Sequence, residues 1–370
     1  MGILSAGGAA VQDIEQIVVR GRLNLELVVD VPEGRDVLKD ILMLGWERGL
    51  DIDFDVVAAV PKLTLPALVV SIVGDTLTPL DLQLASAAIA KAGGNIERIR
   101  RLAKEPVWCY EFEVRGSDPD GLRAQLIDVA AENPRFDVAI QRTGLYRRAQ
   151  RLIVMDVDST LIQNEMIDLL ADEAGFGPQC AAITERAMAG ELDFEEALSA
   201  RVSLLVGQPD SILQAAYDRL DLTPGAARFV KTLQRLGYKV AIVSGGFSYF
   251  TDRLKTELGL DYSHANTLEI RNGLLTGNLV GAVVDRKAKA SMMMLMAQQE
   301  GVALEQVVAI GDGANDLDML AAAGLGVAFC AKQVVREAAS ATLSIPHLDA
   351  ILFLLGVRSE ELELDSESWR

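Results

Sequence analysis

Short apolar runs that each end in polar residues shape the second part of the chain. Residues 152–155, 240–243 and 307–310 are apolar runs of strand length, and stretches of helical spacing separate them. This alternation predicts a doubly wound α/β domain, in which a parallel sheet carries helices on both faces. Ligands of such sheets bind beyond the carboxyl ends of the strands. A mostly helical insert at residues 163–222 follows the first strand directly, where a cap over the site would lie.

The pattern before residue 150 has a different order. It predicts a strand, a helix, two paired strands, a helix and a strand, over residues 67–74, 78–94, 95–104, 107–116, 118–133 and 136–143. The order βαββαβ is typical of a small two-layer ferredoxin-like module.

A similar segment precedes this module. "DIEQI" at Asp13 resembles "NIERI" at Asn95, and "FDV" at Phe54 resembles "FDV" at Phe136, an offset of 82 residues in both cases. We infer an internal repeat. The same offset places the first strand of the first copy before residue 1, so we expect an incomplete module that is rearranged or borrows structure from a partner. The predicted domains are residues 1–62, 63–146 and 147–357, followed by an acidic tail at 358–370 that we expect to be disordered.

Charge and composition narrow the partners. The chain has 370 residues, of which 50% are hydrophobic, and a formal net charge of −18. Nucleic acid is not expected as a partner, because its phosphates are bound by clusters of Lys and Arg. The basic residues near 95–104 and 145–151 are interrupted by other types, and we interpret them as solvated faces.

The sequence also bears on membranes and on thiols. No apolar run approaches the ~18 residues of a membrane span, and the start of the chain lacks the basic residues of a signal peptide. We therefore expect a cytoplasmic protein with no membrane partner. Cys109, Cys180 and Cys330 are widely spaced among apolar neighbours and form no CxxC pair, so buried free thiols are expected.

Four polar segments form tips that follow the predicted strands. They are "DVDST" at Asp156, "SGG" at Ser244, "DRKAKA" around Lys289 and "GDGANDLDM" at Gly311. Taken singly, each is explained equally well as a turn, a helix cap or a surface side chain. Their joint occurrence, each after an apolar strand and in this order, is much more specific. A calcium loop is excluded because Leu161 and Ile167 stand where it needs Gly and Glu, and the absence of any Gly-Lys dipeptide excludes a P-loop.

Together these residues suit phosphoryl chemistry. Asp156 and Asp312 can hold Mg²⁺, which would offset their repulsion and attract a phosphate group. Lys289 and the hydroxyl group of Ser244 can bind the remaining phosphate oxygens. An aspartate can accept a phosphoryl group, and Asp158 could protonate the leaving alkoxide and later deprotonate a water molecule.

The four segments resemble the motifs of the haloacid dehalogenase-like phosphatases. "DVDSTLIQNEMID", "AMAGELDFEEAL", "RVSLL", "LTPGA" and "VSGGFSYF" narrow the resemblance to the phosphoserine phosphatases, over residues 151–346. The two N-terminal modules resemble ACT domains, which commonly sense amino acids. The resemblance implies a phosphatase of O-phospho-L-serine that acts at the last step of L-serine biosynthesis and uses Mg²⁺.

The resemblance also implies roles for single residues. Asp156 matches the nucleophile and Asp158 the general acid and base, while Asp156, Asp312 and the Asp158 carbonyl match the metal ligands and Asp316 the supporting acid. The substrate-binding positions implied are Glu165 for the ammonium group, Arg201 for the carboxylate, Met188 and Phe194 for an apolar wall, and Ser244, Gly245, Lys289 and Asn315 near the phosphate. Without the resemblance, Glu165 and Arg201 would be read as an ordinary helix-surface pair.

Two alternatives and two further expectations remain. The chain could hydrolyse a broader set of small phosphomonoesters, although Glu165 and Arg201 argue against this, or it could be an amino-acid-sensing regulatory protein. L-Serine is a candidate effector, and the loop at Gly74 and Asp75 is a candidate site for it, although turn chemistry explains that loop equally well. A homodimer is expected because ACT-like modules often pair.

Overall fold

The computed structural model describes residues 1–19, 21–33, 36–56, 67–144, 147, 149 and 151–362, and leaves the side chains of Val19 and Met188 undescribed. The chain forms two compact units, Met1–Lys62 and Leu63–Arg370. Each unit is considered by itself.

The first unit contains a hairpin and two helices. Its elements are α1 (Gly2–Ala6), β1 (Ala10–Val19), β2 (Arg22–Asp30) and α2 (Val37–Arg48). β1 and β2 pair antiparallel as a two-stranded sheet. Residues 51–56 have no regular secondary structure. The described part of this unit therefore contains a two-stranded sheet, and the incompleteness of the module stays a prediction.

The second unit opens with a complete ferredoxin-like module. Its elements are β3 (Leu68–Gly74), α3 (Pro79–Lys91), β4 (Asn95–Ala103), β5 (Trp108–Arg115), α4 (Pro119–Glu132) and β6 (Asp137–Arg142). The strands lie in the order β6-β3-β5-β4, all antiparallel. Pro79 begins α3, where its missing N–H is not needed, and Thr78 and Asp81 form a capping box there. The predicted order βαββαβ is confirmed.

A second set of strands forms the predicted α/β sheet. They are β7 (Leu152–Met155), β8 (Lys239–Phe247), β9 (Tyr262–Arg271), β10 (Leu274–Val280), β11 (Val307–Gly311), β12 (Leu325–Phe329) and β13 (Ala341–Leu343). Their order is β10-β9-β8-β7-β11-β12-β13, and each neighbouring pair is parallel except the hairpin of β9 and β10. The three strands predicted from apolar runs are confirmed as the adjacent strands β8, β7 and β11.

Helices cover both faces of this sheet. Outside the cap they are α9 (Ala226–Arg235), α10 (Ser248–Leu258), α11 (Arg286–Glu300), α12 (Leu317–Ala322), α13 (Gln333–Ala338) and α14 (Ile351–Leu354). Alternate residues of β7 enter separate cores, because side chains alternate across a strand. Ile153 packs with residues of α9 and α10, whereas Val154 packs with residues of α11 and α12. The sheet is doubly wound, as predicted.

The insert after β7 is helical. It contains α5 (Met166–Glu173), α6 (Gly177–Met188), α7 (Phe194–Ser203) and α8 (Ser211–Tyr217). The two segments that connect it to the sheet bond to each other: Gln163 N donates to the Asp221 carbonyl at 2.8 Å, and Thr223 N donates to the Leu161 carbonyl at 3.0 Å. The cap therefore leaves and re-enters the domain at one place.

The pattern along the chain did not predict that the two sheets of the second unit would join. β6 pairs antiparallel with β13 through Ala139 and Ala341, giving one sheet of 11 strands. The buried carboxylate of Asp137 strengthens the joint by accepting a hydrogen bond from Ser344 N at 2.6 Å. An open edge strand exposes unpaired backbone groups, and each module here covers the edge of the other.

Two sequence interpretations need correction, and two others fall partly outside the described residues. Cys109 and Cys180 are buried free thiols as expected, but Cys330 is exposed because it lies in the turn that follows β12. Arg147 does not belong to a solvated face: its side chain is 14% exposed and pairs with the buried Glu111. In the part of the chain that is described, no helix is long and apolar enough to cross a membrane. Residues 363–370 of the acidic tail and the predicted boundary at residue 62 lie outside the described residues.

Candidate active site

The carboxyl ends of β8, β7 and β11 meet at one cavity. Its volume is about 160 Å³. Eight of the predicted site residues line it, namely Asp156, Asp158, Glu165, Phe194, Arg201, Gly245, Asp312 and Asn315. The sequence interpretation missed four other lining residues: Ile167, Leu198, Gly246 and Phe247. The cavity therefore lies between the sheet and the cap, as expected for a doubly wound domain.

Asp156 is held at the end of β7 by two contacts. Its Oδ1 accepts a hydrogen bond from Val157 N at 2.7 Å, and its Oδ2 lies 2.6 Å from Lys289 Nζ. Lys289 is fully buried in α11 and also contacts Asp316 Oδ1 at 2.8 Å. Burial alone would lower the pKa of Lys289, but the charges of Asp156 and Asp316 outweigh it and raise that pKa. The lysine therefore remains a cation against Asp156.

A tight turn at 157–161 aims the following side chains. Ser159 has φ +56°, a conformation that L residues other than Asn and Asp adopt rarely. Its hydroxyl donates to Glu165 Oε1 at 2.8 Å, and the Thr160 hydroxyl donates to Asp312 Oδ1 at 3.1 Å. The turn thus links the first polar segment both to the cap and to the segment after β11.

Asp158 has the features of a proton donor. Its Oδ1 accepts from Met166 N at 2.7 Å, and its Oδ2 accepts from the Ser244 hydroxyl at 3.0 Å. Burial, then the charges of Glu165 and Asp156, raise the pKa of Asp158 to about 8. A carboxyl group with such a pKa can carry a proton at neutral pH and deliver it to a leaving group.

Three carboxylates form a group that suits a divalent cation. Ligand atoms of Asp156, Asp312 and Asp316 all lie within 4.8 Å of one another. Burial and the charge of Asp156 raise the pKa of Asp312 to about 7 and that of Asp316 to about 8. Among the described residues, Lys289 is the only cationic side chain in contact with this group. The group therefore contains more carboxyl groups than cations. Carboxylate oxygens are the ligands that Mg²⁺ prefers, and the residues therefore fit such an ion.

The predicted ligand set and the observed group differ in one member. Asp316 occupies the third place, but its oxygens already bind Lys289 Nζ at 2.8 Å and Gly313 N at 3.1 Å. The role of Asp316 as a supporting acid stays a prediction. The Asp158 side chain is not part of the group, and its predicted metal contact through the backbone carbonyl stays a prediction.

The cap contributes charges of both signs. Glu165 precedes α5, and Arg201 lies in the last turn of α7, where its Nε donates to the Ala197 carbonyl at 3.3 Å. Loss of solvent around Glu165, then the charges of Asp156 and Asp168, raise its pKa. Phe194 begins α7 and lines the cavity. Met188 ends α6, and its predicted place in the apolar wall falls on a side chain outside the described part.

The second polar segment ends β8 beneath Phe194. Ser244 is fully buried, and its hydroxyl also accepts from Gly246 N at 2.7 Å. A Cβ atom on Gly245 would lie 3.0 Å from Phe194 Cζ, so a side chain at this position would crowd the Phe194 ring.

The predicted effector residues are not in this site. Gly74 ends β3 and Asp75 follows it, in the ferredoxin-like module. A Cβ atom on Gly74 would lie 2.5 Å from the Arg135 carbonyl oxygen, so close packing accounts for this glycine. The effector role of the loop stays a prediction.

Sequence reasoning also missed Asn266 of β9. It is 2% exposed, and its amide nitrogen donates to the Gly245 carbonyl at 2.8 Å. A polar side chain in the middle of the strand sequence "YSHANTLEI" was the available signal, because a buried amide needs hydrogen-bond partners.

Family models match both parts of the second unit. The model described as haloacid dehalogenase-like hydrolase matches residues 150–324, and an ACT domain model matches residues 67–141. The ACT match coincides with the ferredoxin-like module, and the hydrolase match covers the α/β domain from β7 to α12 and ends before β12.

Curated relatives match nearly the whole chain. A phosphoserine phosphatase from Streptomyces coelicolor is 48% identical over 365 residues, which is 97% of this chain and 88% of the relative. A phosphoserine phosphatase from Mycobacterium tuberculosis is 44% identical over 370 residues, covering 98% of this chain and 90% of the relative.

Solved structures agree with this likeness. A haloacid dehalogenase family hydrolase from Salmonella enterica serovar Typhi has a TM-score of 0.68 at 32% identity, over 78% of this chain and 98% of its own. A substrate-bound phosphoserine phosphatase has a TM-score of 0.53 at 43% identity, over 55% of this chain and 98% of its own.

Proposed function

We propose a function from one premise: the chain belongs to the phosphoserine phosphatases, a family of haloacid dehalogenase-like hydrolases, and is a phosphatase. The proposed reaction is the hydrolysis of O-phospho-L-serine to L-serine and inorganic phosphate through an aspartyl-phosphate on Asp156. The observation that carries it is the shared cavity, which is lined by Asp156 and Asp158 and also by the cap residues Glu165 and Arg201.

The substrate carries three charged groups, and the cavity offers a partner for each. Arg201 is assigned to the carboxylate, because a guanidinium can bind it in a bidentate manner, and Glu165 to the ammonium group. Gly245 and Asn315 line the cavity near Asp156 and are assigned to the phosphoryl group, with Ser244 and Lys289 behind them. Phe194 and Met188 would flank the short carbon chain. A phosphate ester that has neither an ammonium nor a carboxylate group would lack two of these contacts.

The first step transfers the phosphoryl group to the protein. A carboxylate oxygen of Asp156 attacks phosphorus, and the bond from phosphorus to the serine oxygen breaks. Asp158 gives its proton to that oxygen, which would otherwise leave as an alkoxide. The raised pKa of Asp158, about 8, keeps the proton available at neutral pH.

The second step restores the enzyme. The ionised Asp158 takes a proton from a water molecule as its oxygen attacks phosphorus, and the bond from phosphorus to Asp156 breaks. Inorganic phosphate is released, and Asp158 again carries a proton. Lys289 stays charged throughout, since Asp316 also contacts it, at 2.8 Å.

Mg²⁺ is the proposed cofactor. Asp156, Asp312 and the Asp158 carbonyl would hold it. Asp316 would support the site through its contact with Lys289. When bound, the ion neutralises charge on the phosphoryl group and on the carboxylates. The excess of carboxylates over cations in this cluster supports its presence.

The proposal also covers regulation of the enzyme and its place in metabolism. L-Serine is proposed as a feedback effector of the ACT domain, with Gly74 and Asp75 as the candidate loop, and the reaction as the final step of L-serine biosynthesis. The ACT match at 67–141 supports an amino-acid effector. A homodimer and a cytoplasmic location complete the proposal.

Phosphate release from O-phospho-L-serine tests the reaction. Wild type, Asp156→Asn and the control Asp128→Asn, which alters an exposed acid in α4, would be assayed with Mg²⁺ and with EDTA. We expect Mg²⁺-dependent activity that Asp156→Asn lowers by about 10³-fold or more and Asp128→Asn leaves intact.

Comparison substrates test the specificity. O-phospho-L-threonine and p-nitrophenyl phosphate should be hydrolysed with much lower kcat/KM than phosphoserine. Equal values on all three would contradict the roles of Glu165 and Arg201. An inactive wild type would refute the proposed reaction, and L-serine binding to the full chain would then test a purely sensory role.

A further inference from the structure

A buried amide side chain lies between two segments of the active site. Asn266 is 2% exposed. Its Nδ2 donates to the Gly245 carbonyl at 2.8 Å, and its Oδ1 accepts from Val284 N at 2.8 Å. Both ends of the amide are therefore engaged with backbone groups of different segments.

The register of the sheet explains why Gly245 needs this partner. β8 and β9 pair regularly up to Val243 and His264, and the next pair is Phe247 with Asn266. Residues 244–246 of β8 therefore leave the ladder, and their backbone groups lose their strand partners. Buried backbone groups require other hydrogen bonds, and Asn266 supplies one.

The peptide group between Gly245 and Gly246 is held at both ends. Its carbonyl accepts from Asn266, and its N–H donates to the Ser244 hydroxyl oxygen at 2.7 Å. The Ser244 hydroxyl in turn donates to Asp158 Oδ2 at 3.0 Å. Rotation of this peptide would turn the Gly246 N–H away from the Ser244 hydroxyl and so remove one of the contacts that orient that hydroxyl.

The other end of Asn266 fixes the approach to Lys289. Val284 is 4% exposed and precedes Asp285, whose side chain caps α11 by accepting from Ala288 N at 2.8 Å. Lys289 lies one turn further along the same helix and contacts Asp156. One side chain thus connects the loop that carries Ser244 with the start of the helix that carries Lys289.

We propose that Asn266 is a positioning residue that keeps the Ser244–Gly246 loop and the start of the Lys289 helix in the spacing required for phosphoryl transfer. The inference rests on the proposed phosphatase function. Asn266 does not line the cavity, so it acts on the reacting group through Ser244 and Lys289.

Two replacements test this role. Asn266→Asp keeps an acceptor for Val284 N but turns an oxygen toward the Gly245 carbonyl, and Asn266→Ser is too short to span both partners. We expect kcat to fall about 100-fold, the effect typical of a displacement near 1 Å, with little change in KM for phosphoserine. The loss should be similar for p-nitrophenyl phosphate, because the contacts concern the phosphoryl group and not the serine moiety.

Binding of vanadate separates positioning from general damage. The inhibition constant of vanadate, which resembles the transferring phosphoryl group, should rise in proportion to the loss of kcat. The matched control is Thr251→Val, since Thr251 is fully buried, accepts from the Ser263 hydroxyl at 2.9 Å and does not line the cavity. It should lose stability but keep kcat and vanadate inhibition.

The outcomes distinguish this inference from the proposed function. Folded Asn266 variants with wild-type kcat would overturn it, as would a rise in KM for phosphoserine alone. If Asn266→Asp does not fold, the Ser variant decides. If the wild type hydrolyses p-nitrophenyl phosphate but not phosphoserine, the proposed substrate is wrong, and the variants still test Asn266 with p-nitrophenyl phosphate.

Discussion

Replacing Asp312 by asparagine should stabilise the metal-free protein while abolishing its activity. Asp312 lies in a cluster with Asp156 and Asp316, and Lys289 is the cation that contacts that cluster. Burial and the charge of Asp156 raise the pKa of Asp312 from 3.8 to about 7. The folded protein therefore holds the ionised form of Asp312 unfavourably, and the amide of asparagine removes that charge with almost no change of shape.

The size of the effect follows from this shift. One pKa unit corresponds to about 1.4 kcal/mol, so ionised Asp312 costs about 4 kcal/mol above pH 7. This value is an upper limit, because Asp158 or Asp316 can take up a proton instead. The pKa is higher in the folded state, so stability is lost as pH rises from about 4 to about 7 and is level above that range. The variant should gain up to about 4 kcal/mol at pH 7.5 and up to about 1 kcal/mol at pH 4.5.

Urea denaturation in EDTA, followed by circular dichroism, measures the gain. Asp128→Asn serves as the control, since it removes an exposed carboxylate of α4 and should change little at either pH. Added Mg²⁺ should stabilise the wild type but not Asp312→Asn, which loses a ligand. A variant less stable than the wild type at pH 7.5 would refute the reasoning, and so would a gain that does not depend on pH.

Three further changes test other parts of the structure. Arg201→Lys should raise KM for phosphoserine about 10- to 100-fold, because lysine cannot make the proposed bidentate contact with the substrate carboxylate. The kinetics on p-nitrophenyl phosphate should stay unchanged. A parallel loss on both substrates would contradict this role. Gly324→Ala would place a Cβ atom 2.2 Å from the Glu305 carbonyl oxygen, and overpacking of this kind should cost about 1–3 kcal/mol in urea denaturation; wild-type stability would argue against the close approach. Asp137→Ala leaves the amide of Ser344 without the acceptor found at 2.6 Å. Hydrogen exchange of the β13 amides should therefore become about 10-fold faster or more. Unchanged exchange would mean that the pairing of β6 with β13 does not depend on Asp137.

The sequence by itself determined the elements and their polar ends. Apolar runs of four or five residues followed by glycine and acids can form only a few local structures, and the runs at 152–155, 240–243 and 307–310 became the adjacent strands β7, β8 and β11. In a parallel sheet, the carboxyl ends of adjacent strands lie side by side. The sequence therefore predicted that Asp156, Ser244 and Asp312 lie at one edge of the sheet, and the strand order seen in the structure makes their strands neighbours.

Periodicity alone did not predict that the cap residues belong to the site. Glu165 and Arg201 are separated by two helices, and their pattern alone favoured an ordinary surface pair. Only the family resemblance placed them in the site, and the fold of the cap brings both to the cavity.

Contacts between segments distant in sequence were decided by the tertiary structure. The pairing of β6 with β13 joins strands about 200 residues apart through the residue pair Ala139 and Ala341, and Asn266 receives its function from a register shift that no local pattern encodes. Such contacts depend on which edges remain open and which backbone groups lose partners after the sheet forms. Local sequence sets the propensity of each element, whereas the need to satisfy every buried polar group fixes how the elements meet.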